Sequence, residues 1–400
     1  MSSTARAIAK EQPLALFVYA FRPFFLMGAL YAALAVLLWV GYLLQFPVPI
    51  ALPLTTQWHA HEMLYGFVPA AIAGFLLTAV TNWTGANPLS GPRLAALAGL
   101  WLTGRAAMWC VGSLPYGLIA SVDAAFLPVL ALYVGTVLWR AGSRRNLGIA
   151  LVLMVLAAGN VLMHAGVLRD APALAAAGRD LGLDFITVLM AVIAGRITPA
   201  FGANWLRAQG MPAGPAPWPW LTPVAIGSIA LMALAALLRA PDAAVASLAL
   251  AAALANGLRL FLWATWRVRR EPLLWVLHAG YAFLVLALAG RGLYLLGVIA
   301  NPSLWYHALG AGAMGLLIVG VMTRVTAGHT GRPLLLFRGG LAIYLCVAAA
   351  AVLRLATAAG WLGFTAGLAL SSLAWAGGFL LFVALYGPAL CWPRPDGRPG

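Results

Sequence analysis

The sequence predicts an all-α integral membrane protein, built as a bundle of about twelve transmembrane helices. Of its 400 residues, 64% are hydrophobic and 8% are charged, and the mean hydropathy is +0.95. Soluble domains carry about 25% charged residues, so a soluble protein is excluded. Short, turn-rich connections separate the apolar runs, and no soluble domain fits between them.

Each predicted span follows from the thickness of the bilayer. A helix rises about 1.5 Å per residue and the hydrocarbon core is about 30 Å thick, so a span needs roughly 20 apolar residues. The sixth run is short and has Asp184 near its start. The predicted spans are Phe24–Gln45, Trp58–Val80, Leu94–Val111, Tyr116–Trp139, Leu147–Leu168, Leu183–Thr198, Leu221–Leu238, Ala243–Trp266, Pro272–Gly297, Leu304–Val325, Leu334–Thr357 and Trp361–Leu385.

The basic residues predict the orientation of these spans. Fifteen arginines and lysines fall on one side of the spans, and four (Arg169, Arg179, Arg239 and Arg354) fall on the other. The positive-inside rule therefore predicts that both termini are cytoplasmic, which requires an even number of spans. We accordingly divide the chain into a cytoplasmic N-terminal segment (1–23), one membrane domain (24–386) and a cytoplasmic C-terminal tail (387–400).

The charge and the cysteines limit the partners. The net charge is +15, but the arginines are scattered singly between apolar runs, which indicates contact with lipid phosphates rather than with nucleic acid. Cys110, Cys346 and Cys391 are far apart and form no CxxC or CxxCH motif. The sequence therefore indicates neither a disulfide scaffold nor a covalently attached haem.

Four of the six histidines lie near one predicted membrane surface. His59 and His61 begin the second span, His164 lies near the end of the fifth, and His307 begins the tenth, all on the predicted outer side. Imidazole is a common ligand of copper and haem iron, so these four predict an outer metal centre. His278 and His329, on the cytoplasmic side, are candidates for a second centre. The alternative is that they are interfacial residues that bond water or headgroups.

The spacing in "QWHAHEMLYGF" (residues 57–67) restricts how its polar groups act. His59 and His61 are about 200° apart around a helix, so within a regular helix they cannot bind one metal together. Either the helix begins after them or they face different partners. Glu62 could accept a hydrogen bond from a histidine, carry protons or complement the start of the helix.

Two arginines lie in the outer half of the predicted spans. Arg105 and Arg291 each need an anion at membrane depth, because an unpaired charge there costs several kcal/mol. Glu62, Asp123 and haem propionates are the candidate partners. Structural pairs of Arg105 with Asp123, or of Arg291 with Glu62, are the alternative.

Five segments resemble the NnrS family of bacterial inner-membrane proteins. They are "FRPFFLMGAL" (21–30), "WHAHEMLYGF" (58–67), "AGFLLTAVTNWTG" (73–85), "AGRITPAFGANWL" (194–206) and "HALGAGAMGLLIVGVMTRVTAGHTGR" (307–332). The resemblance implies about twelve helices, non-covalent (b-type) haem and copper, and a role in tolerance of nitric oxide linked to denitrification. All six histidines match family positions. The segments also contain four polar residues predicted at the cytoplasmic side: Arg22, Arg196, Asn204 and Arg324.

We therefore expect a haem- and copper-containing membrane protein that responds to nitric oxide by turnover, sequestration or sensing. A proton-coupled secondary transporter is one alternative, because Asp123, Asp184 and Glu62 could carry protons. No similarity between the two halves supports it. A quinol-linked haem–copper oxidoreductase is another, although the adjacent histidine pair of those enzymes is absent.

Overall fold

The structure, a computed structural model, describes residues 14–46, 55–212 and 218–398. Within these ranges it contains helices and no strand, which confirms the predicted all-α class. Ten of the twelve long helices are long and apolar enough to cross a membrane; α3 and α7 are the other two. The helices are α1 (Phe21–Leu43), α2 (Thr56–Thr84), α3 (Gly91–Trp109), α4 (Tyr116–Arg140), α5 (Leu147–Leu168), α6 (Pro172–Ala208), α7 (Leu221–Leu237), α8 (Asp242–Leu262), α9 (Pro272–Leu295), α10 (Ser303–His329), α11 (Gly340–Ala358) and α12 (Phe364–Cys391).

The predicted bounds of the sixth span are wrong. The prediction ended at Thr198, before a proline, but α6 has 37 residues and continues through Pro199 to Ala208. At about 1.5 Å per residue it is roughly 55 Å long, well beyond the thickness of the hydrocarbon core. The extra turns at the beginning of α6 line a cavity.

Arg259 compensates for the hydrogen bond that α6 loses at its internal proline. Pro199 has no N–H, so the carbonyl of Gly195, four residues earlier, loses its helical donor. The guanidinium of Arg259 on α8 donates to that carbonyl at 3.1 Å and to the carbonyl of Ala191 at 2.9 Å. Tyr281, which itself donates to Asn256, accepts a third bond from Arg259.

Arg259→Met is expected to destabilise the protein by about 1–3 kcal/mol, because it leaves a buried carbonyl without a donor. In a Pro199→Ala background the restored N–H of residue 199 can bond Gly195, so the same change should cost less. SDS titration of all four proteins in mixed micelles measures this coupling. Equal costs in both backgrounds would contradict the role given to Arg259.

The first and last helices meet at one end of the bundle. Arg22, at the start of α1, donates to the carbonyls of Ala389, Leu390 and Trp392 at the end of α12. The last helix ends at Cys391, past residue 386, the predicted end of the membrane domain. The described ends of the chain lie together at this end of the bundle, where the Ala15 amide donates to the Cys391 carbonyl at 2.8 Å. Residues 1–13 of the predicted N-terminal segment lie outside the described residues.

The other polar residues predicted for the cytoplasmic side lie in α6 and α10 and have separate partners. Arg196 donates to Asn146 just before α5, at 3.0 Å. Asn204 accepts a bond from Arg207 within α6. The guanidinium of Arg324 lies 4.0 Å from the ring centroid of Phe201, which is a cation–π contact between α10 and α6.

Two helices contain π-helical segments. Glu62–Phe67 interrupts α2 directly after His61, and Ala308–Met314 interrupts α10 directly after His307. A π segment adds a residue to the turn and changes which side chains share a face, and such segments are frequent at functional sites. Both of them lie at the end of the bundle where the four predicted outer histidines gather.

Candidate metal centres

A cluster of charged and polar side chains is buried between α1, α2, α3, α4 and α5. We call it the buried polar cluster, and its acidic, basic and histidine members are each no more than 3% exposed. Such a concentration of charge inside a membrane bundle is costly unless every group is paired. The members are Tyr31, His61, Glu62, Arg105, Asp123, Asn160 and His164.

Arg105 joins the two carboxylates of this cluster. Its Nη1 donates to Oε2 of Glu62 at 2.5 Å, and its Nη2 pairs with Oδ1 of Asp123. Tyr31 donates a further hydrogen bond to Glu62. The predicted partners Glu62 and Asp123 are therefore both bound by Arg105, and the predicted structural pair with Asp123 is present.

The two histidines of the cluster have different hydrogen-bond patterns. Nδ1 of His61 lies 2.8 Å from Oε1 of Glu62, and its Nε2 lies 2.8 Å from Oδ1 of Asn160. Both ring nitrogens thus face oxygen acceptors, the pattern of a doubly protonated imidazole. His164 donates from Nε2 to Asp123 at 2.8 Å, and its Nδ1 lies 3.0 Å from the Tyr116 hydroxyl, which is the pattern of a neutral ring.

The charges of the cluster allow it to hold one further cation. Two carboxylates face one arginine, so the cluster is neutral only if it holds one more positive charge. A metal ion bound by the imidazoles could supply that charge, because neutral histidine binds metal ions. His61, Asp123 and His164 each offer a ligand atom, and these atoms all lie within 4.8 Å of one another.

Close packing holds the arginine of the cluster in place. Gly66 lies in the π segment of α2, and a Cβ there would come within 2.6 Å of Nη1 of Arg105. Trp101 of α3 donates to the Gly66 carbonyl at 2.9 Å, which joins this segment to α3. A glycine at this position therefore allows Arg105 to reach Glu62.

A second site, the histidine cavity, lies beside the cluster. It has a volume of about 520 Å³ and is lined by parts of α1, α2, α5, α6, α10, α11 and α12. Cofactor pockets measure about 300–1,000 Å³ and are mostly apolar with a few placed polar groups. The polar lining here includes His59, His307, Arg179 and Arg354.

Each of the two cavity histidines has a ring nitrogen free for a ligand. His59 stacks on Trp39 with the ring centroids 3.9 Å apart, and its buried Nδ1 has no hydrogen-bond partner. His307 donates from Nδ1 to the carbonyl of Ser303 at 2.8 Å. That bond fixes the tautomer whose Nε2 is unprotonated, which is the form that binds a metal.

Two arginines give the cavity a positive side. Arg179 lies at the beginning of α6 and Arg354 near the end of α11, where it donates to the Ser303 hydroxyl. Arg179 also pairs with Asp180, whereas the described carboxylates provide no such partner for Arg354. A flat ligand with anionic groups suits this combination of apolar walls, free imidazole nitrogens and guanidinium groups.

The structure divides the four predicted outer histidines into two pairs. His61 and His164 lie in the buried polar cluster, with ring centroids 4.9 Å apart, and His59 and His307 line the histidine cavity. Residues 56–61 are helical, so His59 and His61 face different partners, which was one of the two predicted alternatives. Glu62 accepts its histidine hydrogen bond from His61 rather than from His59.

The remaining predicted residues lie elsewhere. Arg291 pairs with Asp184 of α6, so the alternative pairing with Glu62 is wrong. His278 contacts the Thr265 hydroxyl at 2.8 Å, and His329 lies against Phe21. Among the described residues these two histidines have separate partners, and no contact joins them in one centre.

Sequence reasoning missed several residues of both sites. Asn160 precedes His164 by one helical turn on α5, and that spacing was a usable signal. Tyr31 and Trp39 of α1 and Arg354 of α11 come from helices without a predicted metal ligand, and no sequence pattern related them to α2.

Comparison with known families identifies the group to which the sequence belongs. The profile of a family described as NnrS protein matches residues 15–394, nearly the whole chain. A search of curated proteins found no match.

Proposed function

Because the chain belongs to the NnrS family, we propose that it is a haem- and copper-binding protein of the bacterial inner membrane that responds to nitric oxide. The histidine cavity carries this proposal. It combines two histidines with free ring nitrogens, apolar walls and two arginines near the ends of their helices. The buried polar cluster supplies a second, smaller site for a metal ion.

The histidine cavity fits a b-type haem. Its volume is in the range of cofactor pockets, and most of its lining is apolar, as a porphyrin requires. His59 and His307 are the residues that would bind the iron. Arg179 and Arg354 would pair with the propionates, because guanidinium groups bind carboxylates well. The buried Nδ1 of His59, which has no partner within the protein, is the specific observation in favour of a ligand.

The buried polar cluster fits copper. His61 and His164 would provide nitrogen ligands and Asp123 an oxygen ligand, a donor set that suits copper among other divalent metals. Glu62 and Tyr116 would orient the imidazoles through hydrogen bonds to the Nδ1 atoms of His61 and His164, and the ion would replace the contact of His61 Nε2 with Asn160. Arg105 would hold both carboxylates charged in the bilayer.

Haem iron and copper together supply sites that bind nitric oxide and exchange single electrons. The largely apolar walls of the histidine cavity favour a small uncharged ligand. Each acid considered for proton transport (Glu62, Asp123 and Asp184) forms an ion pair with an arginine. That pairing favours a structural role for them and weighs against the transporter alternative.

An absorption spectrum of the purified protein tests this proposal. After expression with iron and copper supplied, we expect a Soret band that shifts when nitric oxide is added without oxygen. An electrode that follows the nitric oxide concentration then distinguishes turnover from binding. A colourless protein free of both metals would contradict the proposal.

A further inference from the structure

We propose that a small uncharged diatomic molecule reaches the histidine cavity sideways from the lipid, through a second cavity between α2, α6 and α10. We call this second space the lateral cavity. The inference deepens the proposed function and rests on it for the identity of the destination. The cavity itself stands on separate observations.

The lateral cavity is small and apolar. Its volume is about 100 Å³, and every residue that lines it carries an apolar side chain. An apolar cavity of about 150 Å³ in another protein stays dry and binds xenon or benzene. A space of this size and lining therefore favours a diatomic gas over water, ions or polar metabolites.

The outer edge of the lateral cavity faces the lipid. Most of its lining comes from the middle of three membrane-spanning helices, α2, α6 and α10, and Phe25 of α1 contributes the rest. The residues at this edge are only partly buried although they lie at mid-span, as expected for a gap between helices. They include Ala71, Phe75, Ile193, Ile197, Ile318 and Val321.

The inner edge of the lateral cavity adjoins the histidine cavity. Val68 and Met314 are buried and line both spaces. Each lies at the end of a π segment, Val68 directly after the one in α2 and Met314 as the last residue of the one in α10. Methionine is flexible and changes rotamer readily, so these two side chains form a barrier that a small molecule can pass.

Xenon binding tests the cavity without any cofactor. The wild-type protein in nanodiscs should show saturable binding of xenon by xenon-129 NMR. Ala71→Phe on α2 or Val321→Phe on α10 should each abolish it, because either phenyl ring fills the space. Ala251→Phe, on the exposed face of α8 and away from both cavities, is the matched control and should leave it unchanged. Lack of saturable binding in the wild type, or binding that survives both substitutions, would overturn the proposal.

Carbon monoxide rebinding after flash photolysis of the haem-loaded protein tests the route. Both substitutions should slow association and dissociation by about tenfold, which corresponds to about 1.4 kcal/mol in the barrier. The equilibrium affinity should stay the same, because a route affects rates alone. Unchanged rates in variants that no longer bind xenon would overturn delivery through this cavity. A protein without haem would contradict the proposed function and the destination, while the xenon result would still decide whether the cavity exists.

Discussion

The His59→Ala variant is expected to lose its haem and to retain its copper. His59 lines the histidine cavity, whereas the buried polar cluster depends on His61, which points to different partners. Changes in residues that merely orient a metal ligand cost about 10–100-fold in affinity, so loss of a direct ligand should exceed that range. The Soret absorbance and the copper content per protein measure the two effects separately.

His278→Ala is the matched control for this experiment. It also removes a buried histidine with an unpartnered ring nitrogen, but His278 contacts Thr265 and Trp263 away from the histidine cavity. We expect it to retain both haem and copper. If His278→Ala lost haem and His59→Ala kept it, the haem site would lie at the other end of the bundle, and its assignment to the histidine cavity would be wrong.

Arg105→Met is expected to cost about 3–5 kcal/mol of stability, the largest effect of any single substitution considered. Breaking a buried ion pair costs this much because the remaining charge loses its partner, and here two carboxylates lose the same one. Glu62→Gln in the same chain should recover part of that loss, because it removes one of the two uncompensated charges. SDS titration in mixed micelles gives the free energies of unfolding.

Arg140→Met is the control, because it removes an arginine that belongs to no buried ion pair. Arg140 is exposed at the end of α4, and changes at exposed positions alter stability by about 0.5 kcal/mol or less. Additive effects of Arg105→Met and Glu62→Gln would mean that the two residues do not interact, and would contradict the ion pair.

Hydropathy was sufficient to predict most of the fold. The predicted spans overlap all twelve helices because apolar length is what the bilayer selects. The sixth span shows where this reasoning fails. A proline normally ends a helix, but Arg259, 60 residues further along the chain, provides the hydrogen bond that Pro199 removes. Such a tertiary compensation leaves no signal in the local sequence.

The candidate sites were only partly predictable. The angle between His59 and His61 around a helix indicated that the two could face different partners, and they do. His164 lies near His61, and His307 lies near His59. These pairings depend on how distant helices pack, and the spacing of residues along the sequence does not specify that packing. The π segments after His61 and His307 also change the direction of the side chains.

The haem and copper contents of the His61→Ala/His164→Ala double variant test most directly whether the chain has two separate metal sites. Two sites predict a protein that keeps its Soret band at wild-type intensity and loses its copper. Simultaneous loss of haem and copper, in a protein that still folds and inserts, would mean that the four histidines form a single centre and would contradict the account.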